Sequence, residues 1–197
     1  MATATLTRDR ILDAAMELFS ENGFRGTSIT QIETAAGLTP GAGGIYHHFR
    51  TKESLLEAGL ARHLDRLLAL RDITKLMAGL GDLRAELMLM ARYVLSEMDN
   101  EQTLLRILAT ESRSRPHVLD GGVEELVRRS YSGFAGWLVD EANLTRERAE
   151  RIAVVGLGAL LSARLIPTLF SVTPTDVSDE DFVKTWVEMM VRTIEES

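Results

Sequence analysis

The chain has 197 residues, with 22 Lys and Arg against 29 Asp and Glu and a formal net charge of -7. That length suits one domain or two small ones with a buried core, and the acidic balance excludes a nonspecific, charge-driven nucleic-acid binder while leaving a specific one open. The absence of cysteine excludes disulfides, thiolate metal sites and thiol redox sensing, and it is compatible with a reducing cytoplasm.

The opening MATATLTRDR lacks the apolar core of a signal peptide and predicts a disordered tail through Leu6. A first helix is expected after Thr7, burying Ile11, Ala15 and Leu18 and turning Asp13, Glu17 and Glu21 outward, with Gly23 and Gly26 bracketing the turn into the next helix. Phe19 and Phe24 are expected to pack a three-helix head. Ser28 and Gln31 open a second helix as a capping box, and Ile29, Ile32, Ala35 and Ala36 share one face of it. Gly37 ends that helix, because glycine takes the left-handed conformation of a helix stop without steric penalty. Thr39 and Pro40 then read as the cap and first turn of a third helix running to about Phe49. Two short helices meeting at a glycine corner suggest a helix-turn-helix, whose second helix can enter the major groove of DNA.

Thr51 caps a fourth helix with Leu55, Leu56, Leu60, Leu64, Leu67 and Leu68 at helical spacing, fading near Arg71. After Gly79 and Gly81, Asp82 caps a helix presenting Leu87, Met88, Ala91, Leu95 and Met98 inward. Leu104, Leu105 and Leu108 mark the next. Another begins near Gly121 or Gly122 with the stripe Val123, Val127, Tyr131, Phe134, Trp137 and Leu138. Thr145 caps a helix that is apolar nearly all round from Ile152 to Leu161, and Pro167 should kink or end it. Its apolar run, Ile152 to Ala163, is too short to span a bilayer and is followed by Arg164. Ser178 caps the last helix, with Asp179, Glu180 and Asp181 in its first turn and Phe182, Trp186, Met189, Met190 and Ile194 along one face. The class is all-α, about nine helices, soluble and cytoplasmic, with no membrane partner.

The first helix, Gly23, Phe24 and Gly26, the segment Ile32 to Leu38, and Tyr46, His47, His48, Phe49, Lys52 and Glu53 together resemble the amino-terminal signature of TetR-type transcriptional regulators. One departure is visible: Tyr46 stands two residues further from Gly37 than in the family pattern, the extra length lying in Pro40 to Gly44. The resemblance covers roughly the first quarter of the chain. It implies a DNA-binding head over residues 1–50, a ligand-binding and dimerisation body over 51–197, and a function in regulation rather than catalysis.

On that basis Thr39 to His48 should meet bases, with Thr39, Pro40, Gly41, Ala42, Gly43, Gly44, Tyr46 and His47 at the DNA. Arg25, Thr27, Arg50, Thr51 and Lys52 should meet phosphates, and Ser28 is counted among the DNA-binding residues. Gly41, Gly43 and Gly44 leave two alternatives, an extended turn before a shorter helix or a soft first helical turn, and predict weak ordering of residues 40–44 without DNA. His47 and His48 point about 100° apart on a helix, so a metal centre with His63 or His117 is the minor reading and no metal or cofactor is expected. A second candidate site is a central cavity lined by Leu64, Leu67, Arg84, Met88, Ala91, Leu95, Leu105, Leu108, Glu111, Tyr131, Phe134 and Trp137. The same stripes describe a filled core equally well; the resemblance favours a pocket for a small, largely apolar ligand. Leu157, Gly158, Leu160, Leu161 and Ser162, with Phe182, Trp186, Met189 and Met190, are the expected homodimer face, since a twofold pair matches a palindromic operator. The expectation is a ligand-released repressor on double-stranded DNA. The rivals are a helical enzyme or carrier using the cavity, and a DNA-binding activator without a ligand.

Overall fold

The computed structural model describes residues 2–69, 81–111 and 122–196. Eight α-helices occur among them: α1 (Ala2–Gly26), α2 (Ile29–Ala35), α3 (Lys52–Ala69), α4 (Leu83–Asn100), α5 (Gln102–Glu111), α6 (Gly122–Ala142), α7 (Arg146–Phe170) and α8 (Asp179–Glu195), with a 3-10 turn at Gly44–His47. No strand occurs among the described residues, so the all-α class holds. Gly79, Arg71, His117 and Gly121 lie outside the described residues, as does the side chain of Leu67.

The chain divides into two compact units, Met1–Arg66 with Glu101–Val123, and Leu67–Asn100 with Glu124–Ser197. In the first, Ile11, Leu12, Ala15, Met16 and Phe19 form the buried face of α1, joined by Ile32, Ile45, Leu55, Leu56, Leu104 and Ile107. Each large side chain fully withdrawn from water contributes about 1.5–3 kcal/mol of transfer free energy, and α5 packs along α1 to complete this cover. Thus α3 and α5 belong with the head by packing. The expected tail is instead helical: nothing between Ala2 and Leu6 stops a helix, and α1 runs from Ala2 to a break at Gly23, whose φ is 70°.

In the second unit α4 lies against α7 and α8, and α6 adds Phe134, Ala135, Trp137 and Leu138 to the core. Phe134 stacks between the rings of Trp137 and Trp186, with centroids 5.9 and 6.5 Å away. Asp82 caps α4 through Arg84 and Ala85 N–H, and Ser178 caps α8 through Asp181 N–H, both as the sequence indicates. Pro167 neither ends nor interrupts α7. It falls three residues before Phe170, its own carbonyl still accepts the Ser171 N–H, and Ser171 closes the helix at φ 53°. By length and composition α7 is apolar enough to cross a membrane. Yet Ala149, Ile152, Ala153, Gly156, Leu157 and Leu160 pack inside the second unit.

Candidate nucleic-acid interface

Local chemistry builds the head. Ser28 Oγ accepts the Gln31 N–H at 3.2 Å while the Gln31 side chain accepts the Ser28 N–H at 2.7 Å, closing the expected capping box. At the other end of α2 the Gly37 N–H reaches Thr34 O and the Leu38 N–H reaches Glu33 O, with Gly37 at φ 68°. This is a paired carbonyl cap in which the left-handed residue turns the chain sharply.

Beyond Leu38 the chain departs from the expected helix. Thr39 O accepts the Ala42 N–H at 3.3 Å, with Pro40 and Gly41 in the centre and Gly41 at φ 76°. Proline then left-handed glycine is the signature of a type II β-turn, so Pro40 sits in a turn and not in a helix's first turn. Only Gly44–His47 is helical, as one 3-10 turn that Gly43 precedes. The extended-turn alternative is therefore the one adopted. Two of the amides in the 40–44 segment have acceptors, Glu33 for Gly41 (2.7 Å) and Thr39 O for Ala42 (3.3 Å).

Thr39, Pro40, Gly41, Ala42 and His47 are exposed and Gly43 and Gly44 half-buried, while Ile45 and Phe49 anchor the segment in the core. Tyr46 is 55% exposed, so its ring does not fill the core. Arg25 and Arg50 are also exposed. The ridge from Thr39 to His47 thus presents Thr39 to Ala42, Tyr46 and His47 to water, and two cations of the same unit are exposed as well.

Three of the expected phosphate contacts are otherwise engaged. Thr27 is buried, its hydroxyl donating to Leu18 O and Gly23 O, because it ties α2's approach to the end of α1. Lys52 Nζ donates to Phe24 O and Thr27 O, both at 2.7 Å, and lies 4.2 Å from the centre of the Phe24 ring. An ammonium spent on two carbonyls and a ring face staples the head from inside. Thr51 and Ser54 cap each other at the start of α3.

The second candidate set is divided between the two units. Leu64, Leu105, Leu108 and Glu111 fall in the first, and Arg84, Met88, Ala91, Leu95, Tyr131, Phe134 and Trp137 in the second. Glu111 is buried with Oε1 accepting the Phe24 N–H at 3.1 Å, so it holds the head together instead of facing a ligand. Arg84 is exposed. Ala91, Leu95, Phe134 and Trp137 are core, which leaves Met88 and Tyr131, both half-buried, at the core's edge. Sequence periodicity missed Glu86, which is buried and accepts the Gly81 N–H at 3.2 Å.

On α7 and α8 the expected pairing face is displaced. Leu157, Leu160, Trp186 and Met190 point into their own core, and the Trp186 indole donates to Gly156 O at 2.8 Å. Close helix approach occurs at Gly156, where a Cβ would stand 2.8 Å from Met190 Sδ; one at Gly158 would meet nothing within 4 Å. Exposed on the same helices are Met189, one of the expected residues, and Val154 and Val155, which are not among them. A shallow groove of about 480 Å³ runs here, lined by Val155, Ala159, Phe182 and Met189 with Arg148 and Arg151 at its edge.

Among the described residues the fold is all-helical, and its first unit carries α2, a glycine corner and an exposed turn. Residues 11–58 match the model of the bacterial regulatory proteins of the tetR family. The chain is 46% identical over 63 residues to the HTH-type transcriptional regulator UidR of Escherichia coli strain K12, covering 32% of this chain and 31% of that protein. To the HTH-type transcriptional repressor KstR2 of Rhodococcus jostii strain RHA1 it is 43% identical over 60 residues, 30% of this chain and 28% of that one. The chain thus spans about a third of the length of the curated relatives it matches. The fold extends further: a TetR-like transcriptional regulator from Rhodococcus sp. RHA1 superposes with a TM-score of 0.72 over 97% of both chains at 19% identity.

Proposed function

We propose that this chain is a transcriptional regulator of the repressor type, acting in the cytoplasm as a homodimer on a palindromic DNA operator and released from it by a small, largely apolar molecule. The observation that carries the reading is the exposed ridge Thr39–His47, standing on buried Ile45 and Phe49 inside the segment that matches the TetR family. Thr39, Ala42, Tyr46 and His47 are its candidates for base and backbone contact, with Arg25 and Arg50 for phosphates. The relatives carry the names of regulators and repressors, not of enzymes.

One ridge spans few base pairs, so useful specificity asks for two of them, and the exposed apolar strip on α7 and α8 is the face suited to joining two copies. The ligand's place is proposed at the edge of the second core, around Met88 and Tyr131, where a pliable thioether can adapt to apolar shapes. Release results if the ligand binds more tightly to the conformation whose two ridges are wrongly spaced. The test is selection of binding sites from random or genomic DNA by the purified protein, repeated across salt concentrations. A recovered palindrome with a steep salt dependence is expected, and recovery of no preferred sequence at any salt would defeat the proposal.

A further inference from the structure

Glu33 is one of four buried charged residues among the described residues, 1% exposed in a helix whose other polar residues face water. Its Oε2 accepts the Gly41 N–H at 2.7 Å, its backbone carbonyl accepts the Leu38 N–H at 2.8 Å, and its Oε1, also buried, has no partner among the described residues. Withdrawing a carboxylate from water is costly, and an apolar side chain such as neighbouring Ile32 fills such a space without that cost. Nor does the donor demand rescue. Gly41 is exposed, so water is available to it. What the carboxylate alone supplies is position: it fixes the central peptide of the Thr39–Ala42 turn to the body of α2, eight residues away in sequence.

That turn needs fixing. Gly41 and Gly43, on either side of Ala42, both have positive φ, 76° and 72°, and glycine leaves the backbone there little constrained by its own side chain. Resting on the DNA-reading function proposed above, we propose that Glu33 is a positioning residue that presets the Thr39–Gly44 turn for the major groove, and so determines sequence discrimination without touching a base. The added length between Gly37 and Tyr46 and the buried carboxylate beneath it form one device. A preset arm loses less freedom on binding and offers its side chains in a single register.

The test compares Glu33→Gln, which keeps an oxygen acceptor, with Glu33→Ala, which has none. Amide hydrogen exchange on the free protein should show the Gly41 amide exchanging about tenfold faster or more in Glu33→Ala, with Ile32 unchanged and Glu33→Gln close to the original protein. With DNA, Glu33→Ala should reduce the affinity ratio between the selected operator and one mismatched beneath the turn by about tenfold, leaving the salt slope intact because phosphate contacts are unaltered. Glu33→Met fills the volume without an acceptor, and must behave as the alanine variant does should that one fold poorly. Unchanged Gly41 exchange, undiminished discrimination, or a glutamine variant as impaired as alanine would each overturn the proposal. A protein that selects no DNA sequence at all would sink the regulatory function, while the exchange measurement still decides the tether.

Discussion

At the scale of single residues the head is held by polar groups whose work is internal. Lys52 binds Phe24 O and Thr27 O at 2.7 Å, and Glu111 accepts the Phe24 N–H on the same stretch of backbone at 3.1 Å. The two flank the break in α1 where the chain leaves one helix for the next. Removing Lys52 leaves two part-buried carbonyls, and removing Glu111 a buried N–H, without that partner; the cost is about 1–3 kcal/mol for a fully buried group and less for one that water can reach. Lys52→Ala should therefore lower the urea midpoint of the free protein by the equivalent of about 1–3 kcal/mol. A contact made only to phosphate would leave that midpoint unmoved. Glu111→Ala should cost a similar amount, about 1–3 kcal/mol, whereas Glu111→Gln, which keeps an oxygen for Phe24, should recover most of it. Equal losses for alanine and glutamine would mean that the charge, and not the hydrogen bond, holds the break. Arg164 does comparable work in the second unit, bonding Asp99 of α4 and Asp179 at the start of α8. The hydrogen bond to Asp179 and then the one to Asp99 outweigh burial and hold its guanidinium above its ordinary range.

At the scale of elements, α1 and α3 meet where α3 has no side chain. A Cβ on Gly59 would stand 2.3 Å from Met16 Sδ and 2.8 Å from Met16 Cγ, and Met16 is 2% exposed, with little room to yield. Propensity and packing give opposite signs here. Glycine inside an exposed helix is worth about 1 kcal/mol less than alanine, so Gly59→Ala would stabilise an isolated α3. Overpacking costs about 1–3 kcal/mol, and the structure places that term above the first, so a lower melting temperature is expected. A higher melting temperature for Gly59→Ala would show that the two helices do not approach this closely. What the sequence made legible is what closes within a turn or two of chain. The caps at Ser28, Asp82 and Ser178, the stop at Gly37 and the apolar stripes all depend on neighbours three to five residues away. The Pro40–Gly41 pair was ambiguous because proline suits both a helix's first turn and the second place of a β-turn; glycine beside it tips the balance to the turn only once a carboxylate from α2 is known to hold it. Partners of Glu33, Lys52 and Glu111 lie 8, 28 and 87 residues away. No periodicity encodes such separations, so the internal partners of these three residues are not legible in the sequence.

At the scale of the whole molecule, the pairing proposed above needs a face on which two copies can join. Of the residues the sequence names for that face, Leu157, Leu160, Trp186 and Met190 are each 6% exposed or less and already packed within their own chain, whereas Met189 is exposed and Phe182 and Leu161 are only partly buried. A residue cannot fill its own core and cover a partner. The side chains free to do so are their neighbours Val155 and Met189, 71% and 63% exposed, beside Ala159 and Phe182 in the α7–α8 groove. Because the apolar stripe on α7 runs nearly all round, the sequence could not tell the inward side from the outward one. Val155→Asp removes almost nothing from the monomer's core, so its unfolding midpoint should shift by less than about 0.5 kcal/mol. Across a twofold face the same substitution buries two carboxylates near one another, since each copy presents the same patch to its twin. Sedimentation should then find the variant as single chains at concentrations where the original pairs, and its affinity for a two-half-site operator should fall by at least about a hundredfold while single half-site binding persists. A variant that remains paired with full operator affinity would place the joining surface elsewhere than on α7 and α8.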